Sequence, residues 1–259
     1  MTVLTVAAVQ RRAARNPRLS ALQVEESVAA AAESGAHLVV FPEATMVPFG
    51  ATLASWAQPL DGPFAQAVRR AAARWHVVVS AGMFTPGKGS RVRNTTLVTD
   101  GRGLDAAYHK IHLFDALGSR ESDEVEAGTE LVTVDALGTR LAVATCYDLR
   151  FPAQFTELGR QGAEVILVGA SWGDGPGKLG QWQTLTRARA MDAAAYLVAA
   201  DQPLTASATH PLGIGHSTIV HPSGLPIGES GEGDDILVCT IELGEVTRQR
   251  HLVPTLATQ

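Results

Sequence analysis

The chain has 259 residues, of which 46% are hydrophobic and 18% are charged, and its formal net charge is −5 at pH 7. A mildly acidic chain is not expected to bind nucleic acid or an anionic membrane surface, and no apolar run is long enough to span a bilayer. Two cysteines exclude a disulfide framework. The apolar start is short and has no basic leader, so a secretory signal is not expected and the cytoplasm is the default compartment.

Apolar strands and Ala-rich helical segments alternate along the first half of the chain. In chain order, strands are predicted at Val3–Val9, His37–Phe41, Val77–Gly82, Asn94–Thr99 and Leu104–Lys110. Helices are predicted at Leu19–Ser34 and from an N-cap at Asp61 to about Trp75. Asp100-Gly101 predicts a hairpin between the last two strands, and the charged, aperiodic stretch Ala116–Gly128 is predicted to be a loop.

The second half continues this alternation with shorter connections. In chain order, strands are predicted at Leu131–Val134, Leu141–Thr145, Glu164–Gly169, Leu197–Ala200, His216–Val220 and Ile236–Ile241. Helices are predicted from Pro152 and over Gln181–Tyr196, with an exposed Gly-rich loop, Ser171–Gly180, before the second helix. Turns at Leu137-Gly138-Thr139 and Pro222-Ser223-Gly224 predict hairpins between the first two and between the last two of these strands.

No linker or shift in composition divides the chain. Residues 1–259 are therefore expected to form a single domain, in which residues 245–259 are a C-terminal tail that has little core of its own and could reach a partner subunit. The alternation of strands and helices, together with the tight turns, favours an α/β layer structure that contains antiparallel strand pairs.

Two stretches come close to known ligand sites but fail in detail. Gly82–Gly89 nearly matches a P-loop, yet it lacks the final Ser or Thr and is followed by strand-like sequence where a helix should begin. His109 and His112 lack a zinc-binding signature around them, so structural or surface roles are expected for both. The sequence therefore predicts neither a metal site nor a bound cofactor.

Leu141–Pro152 is the most informative stretch of the chain. An apolar strand ends on Cys146, charged residues follow, and Pro152 suits the first turn of the next helix. A thiol at this strand-to-helix elbow is expected to meet free backbone N–H groups and the positive end of a helix dipole, and both favour the thiolate. The alternative is a cysteine that merely packs beneath the sheet.

Glu43, Lys110 and Cys146 each stand at the end of a predicted strand. Each also has an ordinary alternative, such as a helix cap for Glu43 or a solvated strand end for Lys110. Together they fit one chemistry, because a thiol that is mostly protonated at neutral pH gains from a nearby base. A buried carboxylate supplies that base, and a lysine beside both groups supplies positive charge where an oxyanion develops.

These residues lie in segments that resemble a known family. Phe41-Pro42-Glu43, Tyr108–Phe114 and Thr145–Pro152 are similar to the glutamate, lysine and cysteine segments of the nitrilase superfamily of carbon–nitrogen hydrolases. Gly169–Trp172 and Arg187–Ala190 resemble later segments of that family, and the resemblance covers nearly the whole chain. It implies a four-layer αββα sandwich that pairs through a helical face into a homo-oligomer, and an amide hydrolase that needs no metal or cofactor.

The resemblance also implies roles for individual residues. Glu43 would be the general base, Lys110 would stabilise the oxyanion, and Cys146 would be the nucleophile. The family has a second glutamate in the loop after the lysine, and Glu121 matches it best. The same loop holds two alternatives, Glu124 and Glu126. The backbone N–H of Tyr147 would complete the oxyanion hole.

The substrate is less constrained than the chemistry. After the cysteine the chain has Tyr147-Asp148, where nitrile hydrolases of the family usually have Trp-Glu. The segment looks more like the branch that acts on ω-amides of 2-oxo acids and on deaminated glutathione. Arg150 is predicted either to bind a substrate carboxylate or to pair with Asp148. Trp172 is predicted either to wall the pocket or to pack in the core, and residues 173–180 are a candidate lid.

Three other functions stay open at this point. The fold also suits an N-carbamoyl amide hydrolase, an acyltransferase that uses an amine in place of water, and a non-catalytic binding protein. Carbon dioxide among the products would indicate the first, and an amine-dependent product would indicate the second. A thiol at Cys146 that resists every reagent at neutral pH would favour the third.

Overall fold

The computed structural model describes residues 2–50, 52–205 and 212–257. Its strands, in chain order, are β1 Val3–Gln10, β2 Leu38–Val40, β3 Val78–Pro86, β4 Val92–Thr99, β5 Asp105–His109, β6 Thr133–Ala136, β7 Thr139–Thr145, β8 Val165–Ala170, β9 Tyr196–Asp201, β10 Thr218–Val220, β11 Pro226–Glu229 and β12 Asp235–Glu242. Its helices are α1 Pro17–Glu33, α2 Leu53–Trp56, α3 Pro63–Trp75, α4 Pro152–Arg160, α5 Lys178–Ala193 and α6 Gly244–Leu252. Within these residues, no helix has the length and apolar character that a membrane crossing requires.

The strands form two mixed sheets of six strands each. The first sheet has the order β12-β1-β2-β3-β4-β5 and the second has the order β11-β10-β9-β8-β7-β6. Neighbours are parallel at the centre of each sheet, from β1 to β3 and from β7 to β9, and antiparallel toward the edges. Parallel neighbours need crossover connections, which α1, α3, α4 and α5 provide.

Both faces of the central strands are buried, and alternate side chains face different layers. In β1, Val6 and Ala8 face the core between the two sheets. Ala7 and Val9 face the opposite way, into the cluster that contains residues of α1 and α3. β7 and β8 repeat this division against α4 and α5. The predicted single-domain, four-layer αββα sandwich is confirmed.

The predicted hairpin between the last two strands is wrong. The turn at Pro222-Ser223-Gly224 leads instead into β11, which pairs with β10 at the edge of the second sheet. β12 crosses to the first sheet and pairs antiparallel with β1 in a register that matches Val3 with Glu242. β11 was missed because its side chains are mostly exposed and lack the apolar alternation of a half-buried strand.

Three boundaries differ from the predictions. Asp61 does not cap α3, which begins at Pro63 after Gly62, and the backbone N–H of Phe64 in its first turn donates to Gln58 Oε1 at 2.8 Å. The predicted loop before α5 is shorter, because its first two residues, Ser171 and Trp172, are buried and α5 already begins at Lys178. Within the predicted C-terminal tail, residues Gly244–Leu252 form α6, which buries Val246 and attaches through Arg250 to the backbone carbonyls of Ala194 and Ala163.

Candidate active site

The segment that carries Glu43 passes between the two sheets at the ends of their central strands. A Cβ atom on Gly82 in β3 would lie 2.7 Å from the backbone nitrogen of Ala44, and one on Gly169 in β8 would lie 2.8 Å from that of Glu43. Only glycine permits both approaches. Ala44 has a left-handed φ of 57°, and Glu43 is held at 1% exposure. The sequence around Glu43 therefore fixes a carboxylate deep between the layers.

Lys110 follows β5 directly and is almost fully buried. Its ammonium group donates to Glu43 Oε1 at 2.8 Å and to Glu121 Oε2 at 2.9 Å. Burial alone would lower the pKa of Lys110, but the charges of Glu121 and Glu43 outweigh it and hold the pKa well above its ordinary value. Lys110 is therefore a fixed positive charge.

Of the three candidate glutamates in the loop, Glu121 is the one that reaches the lysine. Its carboxylate also accepts a hydrogen bond from the backbone N–H of Phe114 at 2.7 Å and from Asn94 Nδ2 at 3.1 Å. Glu126 instead pairs with two surface cations, and Glu124 is exposed. The loop that was predicted from its lack of periodicity thus delivers one buried carboxylate to the lysine.

Cys146 follows β7 and is 9% exposed. Its φ of 46° lies in the left-handed region, and a short 3₁₀ turn, Cys146–Arg150, continues from it before α4 begins at Pro152. A residue other than glycine is strained in this region and needs support from its surroundings. A capping box between Thr145 and Asp148 gives that support.

The prediction that the elbow favours a thiolate is wrong. Burial raises the pKa of the Cys146 thiol well above its ordinary value, and the charge of Glu43 raises the pKa further, while Lys110 acts in the opposite direction. The dipole of α4 does not compensate, because that helix begins only at Pro152 and the effect of a helix terminus falls off within a turn. The resting thiol keeps its proton, so its reaction requires a base.

The carboxylate of Glu43 is a candidate for that base, because it lines the same cavity as Cys146 and its charge acts on the thiol. Besides the lysine, Glu43 Oε1 accepts from Asn94 Nδ2 at 2.7 Å, and Oε2 accepts from the backbone N–H of Ser171 at 3.1 Å. The backbone N–H of Ser171 also acts to lower the pKa of Cys146. Ser171 therefore influences both the carboxylate and the thiol.

These groups face a cavity of about 540 Å³. Each predicted site residue lines it: Glu43, Lys110, Glu121, Cys146, Tyr147, Arg150 and Trp172. The aromatic ring of Tyr147 packs edge to face against Phe114 at 5.1 Å between centroids. Among the residues that the structure describes, no cluster of three or more His, Cys, Asp and Glu side chains could hold a metal ion.

A model of the family described as "Carbon-nitrogen hydrolase" matches residues 5–251. The chain belongs to the carbon–nitrogen hydrolase family. It is 43% identical to "Hydrolase Rv0480c" of Mycobacterium tuberculosis, over 99% of this chain and 95% of that protein. It is also 33% identical to the "Deaminated glutathione amidase" of Escherichia coli O157:H7, over 88% of this chain and 87% of the relative. The resemblance that the motifs indicated is therefore confirmed.

The fold of this carbon–nitrogen hydrolase also matches solved structures. The crystal structure of the C. elegans NitFhit protein superposes with a TM-score of 0.90 at 26% sequence identity. All of this chain is covered, but only 65% of that one, so this chain spans about two thirds of the length of NitFhit. The shared part is the αββα sandwich.

Arg150 lies at the cavity wall of this hydrolase and does not pair with Asp148. Its guanidinium group lies 5.0 Å from the ring centroid of Trp172 and 5.8 Å from that of Tyr147, and Nη2 donates to Gln181 at 2.7 Å. Asp148 is fully buried and is bonded elsewhere. The predicted ion pair between the two is therefore wrong, and the guanidinium is left facing the cavity.

Trp172 fills both of its predicted roles. It is only 3% exposed and packs against Trp182 with ring centroids 5.6 Å apart, so it belongs to the core of the second helical layer. The same ring lines the cavity beside Arg150. Its indole N–H donates to the backbone carbonyl of Lys178 at 3.2 Å, which attaches the start of α5 to the cavity wall.

Sequence reasoning missed the residues that hold the reacting groups in place. Asn94 bridges the two glutamates, and Gln202 Nε2 donates to the backbone carbonyl of Glu43 at 3.0 Å. Asp148 accepts hydrogen bonds from Tyr108 and from His112. This contact gives His112 the structural role that the sequence predicted. The only signal in the sequence was a polar side chain inside or beside an apolar strand, where it needs a partner.

Proposed function

We propose that the chain hydrolyses the C–N bond of a small linear amide that carries a carboxylate, and that it releases ammonia through a thioester on Cys146. The observation that carries the proposal is the position of Glu43, Lys110 and Cys146 in one cavity wall, with Lys110 Nζ 2.8 Å from Glu43 Oε1. Acyl transfer from an amide needs a nucleophile, a base and a donor for the oxyanion, and these three residues supply them.

In the first step Glu43 accepts the proton of Cys146 while the sulfur attacks the amide carbonyl carbon. The raised pKa of the thiol means that the nucleophile forms only when substrate is present and Glu43 takes the proton. The carbonyl π electrons move onto oxygen. Lys110 donates to the two glutamates and keeps a third N–H for this oxyanion, together with the backbone N–H of Tyr147.

In the second step the tetrahedral intermediate collapses and the C–N bond breaks. Glu43 returns its proton to the departing nitrogen, ammonia leaves, and the acyl group remains on sulfur as a thioester. Water then enters, and Glu43 removes its proton as the oxygen attacks the thioester carbonyl. The carboxylic acid leaves and the thiol regains its proton. Glu121 serves as a positioning residue, because it holds Lys110 from the side opposite Glu43.

A carboxylate on the substrate suits the free cation at the cavity wall. Arg150 is bonded to a neutral amide and to no carboxylate among the described residues, so its guanidinium can bind one. The relative from Escherichia coli carries the name deaminated glutathione amidase, and deaminated glutathione is itself a carboxylate. We therefore place ω-amides of 2-oxo acids and deaminated glutathione first among candidate substrates.

Hydrolysis of a panel of amides tests the proposal. Ammonia release is measured for primary amides such as 2-oxoglutaramate, and release of the amine cysteinylglycine is measured for deaminated glutathione, whose amide nitrogen is substituted. We expect Cys146→Ala and Cys146→Ser to lose at least about 1000-fold in kcat because the nucleophile is removed. Cys239→Ala is the matched control, since the second free cysteine lies in β12, outside the cavity wall. Full activity in either Cys146 variant with the fold intact would end the proposal, whereas carbon dioxide or an amine-dependent product would reassign the reaction.

We also propose that the chain acts as a homo-oligomer in the cytoplasm. Met191 in α5 and Leu252 in α6 expose 48% and 67% of their surface, and exposed apolar residues on helices suit pairing through a helical face. Both cysteines are free thiols, which suits a reducing compartment. Sedimentation equilibrium of the full chain would measure the subunit number.

A further inference from the structure

We propose that Lys178 is a second substrate-binding cation. It acts with Arg150 to bind the carboxylate at the end of the substrate that is remote from the scissile amide bond. This inference deepens the proposed function and rests on it. It names a specificity-determining residue that the motifs do not contain, and it restricts the substrate class to amides whose far end is a carboxylate without an adjacent ammonium group.

The position of Lys178 directs its ammonium group toward the cavity. The residue opens α5 directly after Gly177, and its side chain is half-buried. Nζ lies 5.8 Å from the ring centroid of Phe114 and 5.8 Å from that of Trp172. Both rings line the cavity, as does Lys178 itself. The amine therefore lies over aromatic faces at the cavity wall.

Lys178 and Arg150 share the ring of Trp172 as a neighbour. Both cations therefore lie along the same part of the cavity wall. The charge of Arg150 also lowers the pKa of Lys178, after burial, which has the larger effect. The two cations therefore act on the same region of the cavity.

Lys178 differs from the other lysines in having no carboxylate partner. The sequence contains three lysines, of which Lys110 pairs with two buried glutamates and Lys88 pairs with Glu126. Within the part of the chain that the structure describes, no carboxylate lies within ion-pair distance of Lys178 or of Arg150. Two cations on one wall without a direct ion-pair partner repel each other, and a bound carboxylate relieves that repulsion.

The paired cations also discriminate against ammonium groups. An amino acid amide such as glutamine carries an ammonium group beside its carboxylate, and this positive charge would be placed near Lys178 and Arg150. An amide with a lone carboxylate gains the attraction without that repulsion. The cavity should therefore prefer glutaramate, which lacks the amino group, over glutamine.

A pair of matched amides tests the role of Lys178. Glutaramate carries a carboxylate, and pentanamide has the same chain length without charge. For Lys178→Met we expect KM for glutaramate to rise about 10-fold or more, with kcat within about threefold and KM for pentanamide within about twofold. Lys178→Arg should keep most of the affinity for glutaramate. Lys88→Met, which removes an exposed lysine outside the cavity wall, should leave both amides unchanged.

Equal loss for the charged and the neutral amide in Lys178→Met would overturn the inference. A binding measurement separates this failure from a failure of the proposed reaction. In a Cys146→Ala background, calorimetry with glutaramate should show Kd about 10-fold weaker when Lys178→Met is added, and glutamine should bind weakly to both proteins. An unchanged Kd would refute the role of Lys178, whereas weakened binding here, together with no ammonia release from the protein that retains Cys146, would refute only the reaction.

Discussion

At the level of single residues, the site is governed by an imbalance of charge. Two carboxylates, Glu43 and Glu121, surround one buried ammonium group, Lys110. A thiolate at Cys146 would add a further negative charge in a region that excludes water, and burial of an uncompensated charge is costly. The protonated thiol is the consequence of burial and of the Glu43 charge. In the proposed mechanism this same carboxylate accepts the proton of the thiol.

This dual role of Glu43 predicts opposite effects of one substitution. Glu43→Gln removes a negative charge beside the sulfur, so the pKa of Cys146 should fall and the thiolate fraction at a given pH should rise. Alkylation of Cys146 by iodoacetamide between pH 7 and 9 should therefore become faster, while ammonia release falls by at least about 100-fold because the base is lost.

The alkylation is measured in a Cys239→Ala background, so that a single thiol reacts. Glu126→Gln is the control, because that surface glutamate pairs with Arg93 and Lys88 and does not face the sulfur. Slower alkylation of Glu43→Gln would contradict the assignment, since it would mean that Glu43 promotes the thiolate in the absence of substrate.

At the level of elements, Asp148 joins the two strand ends that must meet. Its Oδ2 accepts from Tyr108 at 2.7 Å and from the backbone N–H of Thr145 at 2.8 Å. Its Oδ1 accepts from the ring and from the backbone N–H of His112 at 2.8 and 3.1 Å. One carboxylate thus ties the residues on both sides of Lys110 to the turn that carries Cys146.

Asp148→Asn should therefore loosen the site and the fold together. An amide has one acceptor oxygen, so at least one buried donor loses its partner, at a cost of about 1–3 kcal/mol for each. We expect a lower free energy of unfolding in urea and a kcat reduced by about 10-fold or more, with KM changed less. Asp135→Asn, which breaks an exposed pair with Arg140, should change neither quantity. Wild-type stability in Asp148→Asn would show that the carboxylate is not the tie described above.

At the level of the whole molecule, the local pattern of the sequence was sufficient for the α/β layers and for the residues at the strand ends. Apolar runs that finish on Glu43, Lys110 and Cys146 could be read directly, because the carboxyl ends of such strands meet at one edge. The pairing of β12 with β1 could not be read, since it joins the two ends of the chain and no turn marks it. Asn94 was missed for a related reason. It donates to the carboxylates of Glu43 and Glu121, which approach from distant segments of the chain.

A buried acid that the reaction does not use links this architecture to pH. Asp201 ends β9 and is fully buried, and its two oxygens accept from the backbone N–H groups of Trp172 at 2.8 Å and of Ile214 at 2.9 Å. Burial raises the pKa of Asp201 to about 8, although these N–H groups offset part of the effect. The ordinary value of 3.8 applies in the unfolded chain.

The sign of the resulting pH dependence follows from proton counting. Between about pH 4 and pH 8 the folded state retains a proton on Asp201 that the unfolded state has lost, so the free energy of unfolding falls as pH rises, by at most about 1.4 kcal/mol per pH unit from this group. Asp201→Asn removes this contribution and should flatten the profile of urea unfolding between pH 5 and 8. Asp235→Asn, at an exposed position, should keep the wild-type slope. A slope in Asp201→Asn equal to that of the wild type would mean that Asp201 is ionised in the folded protein and is held by its N–H donors alone.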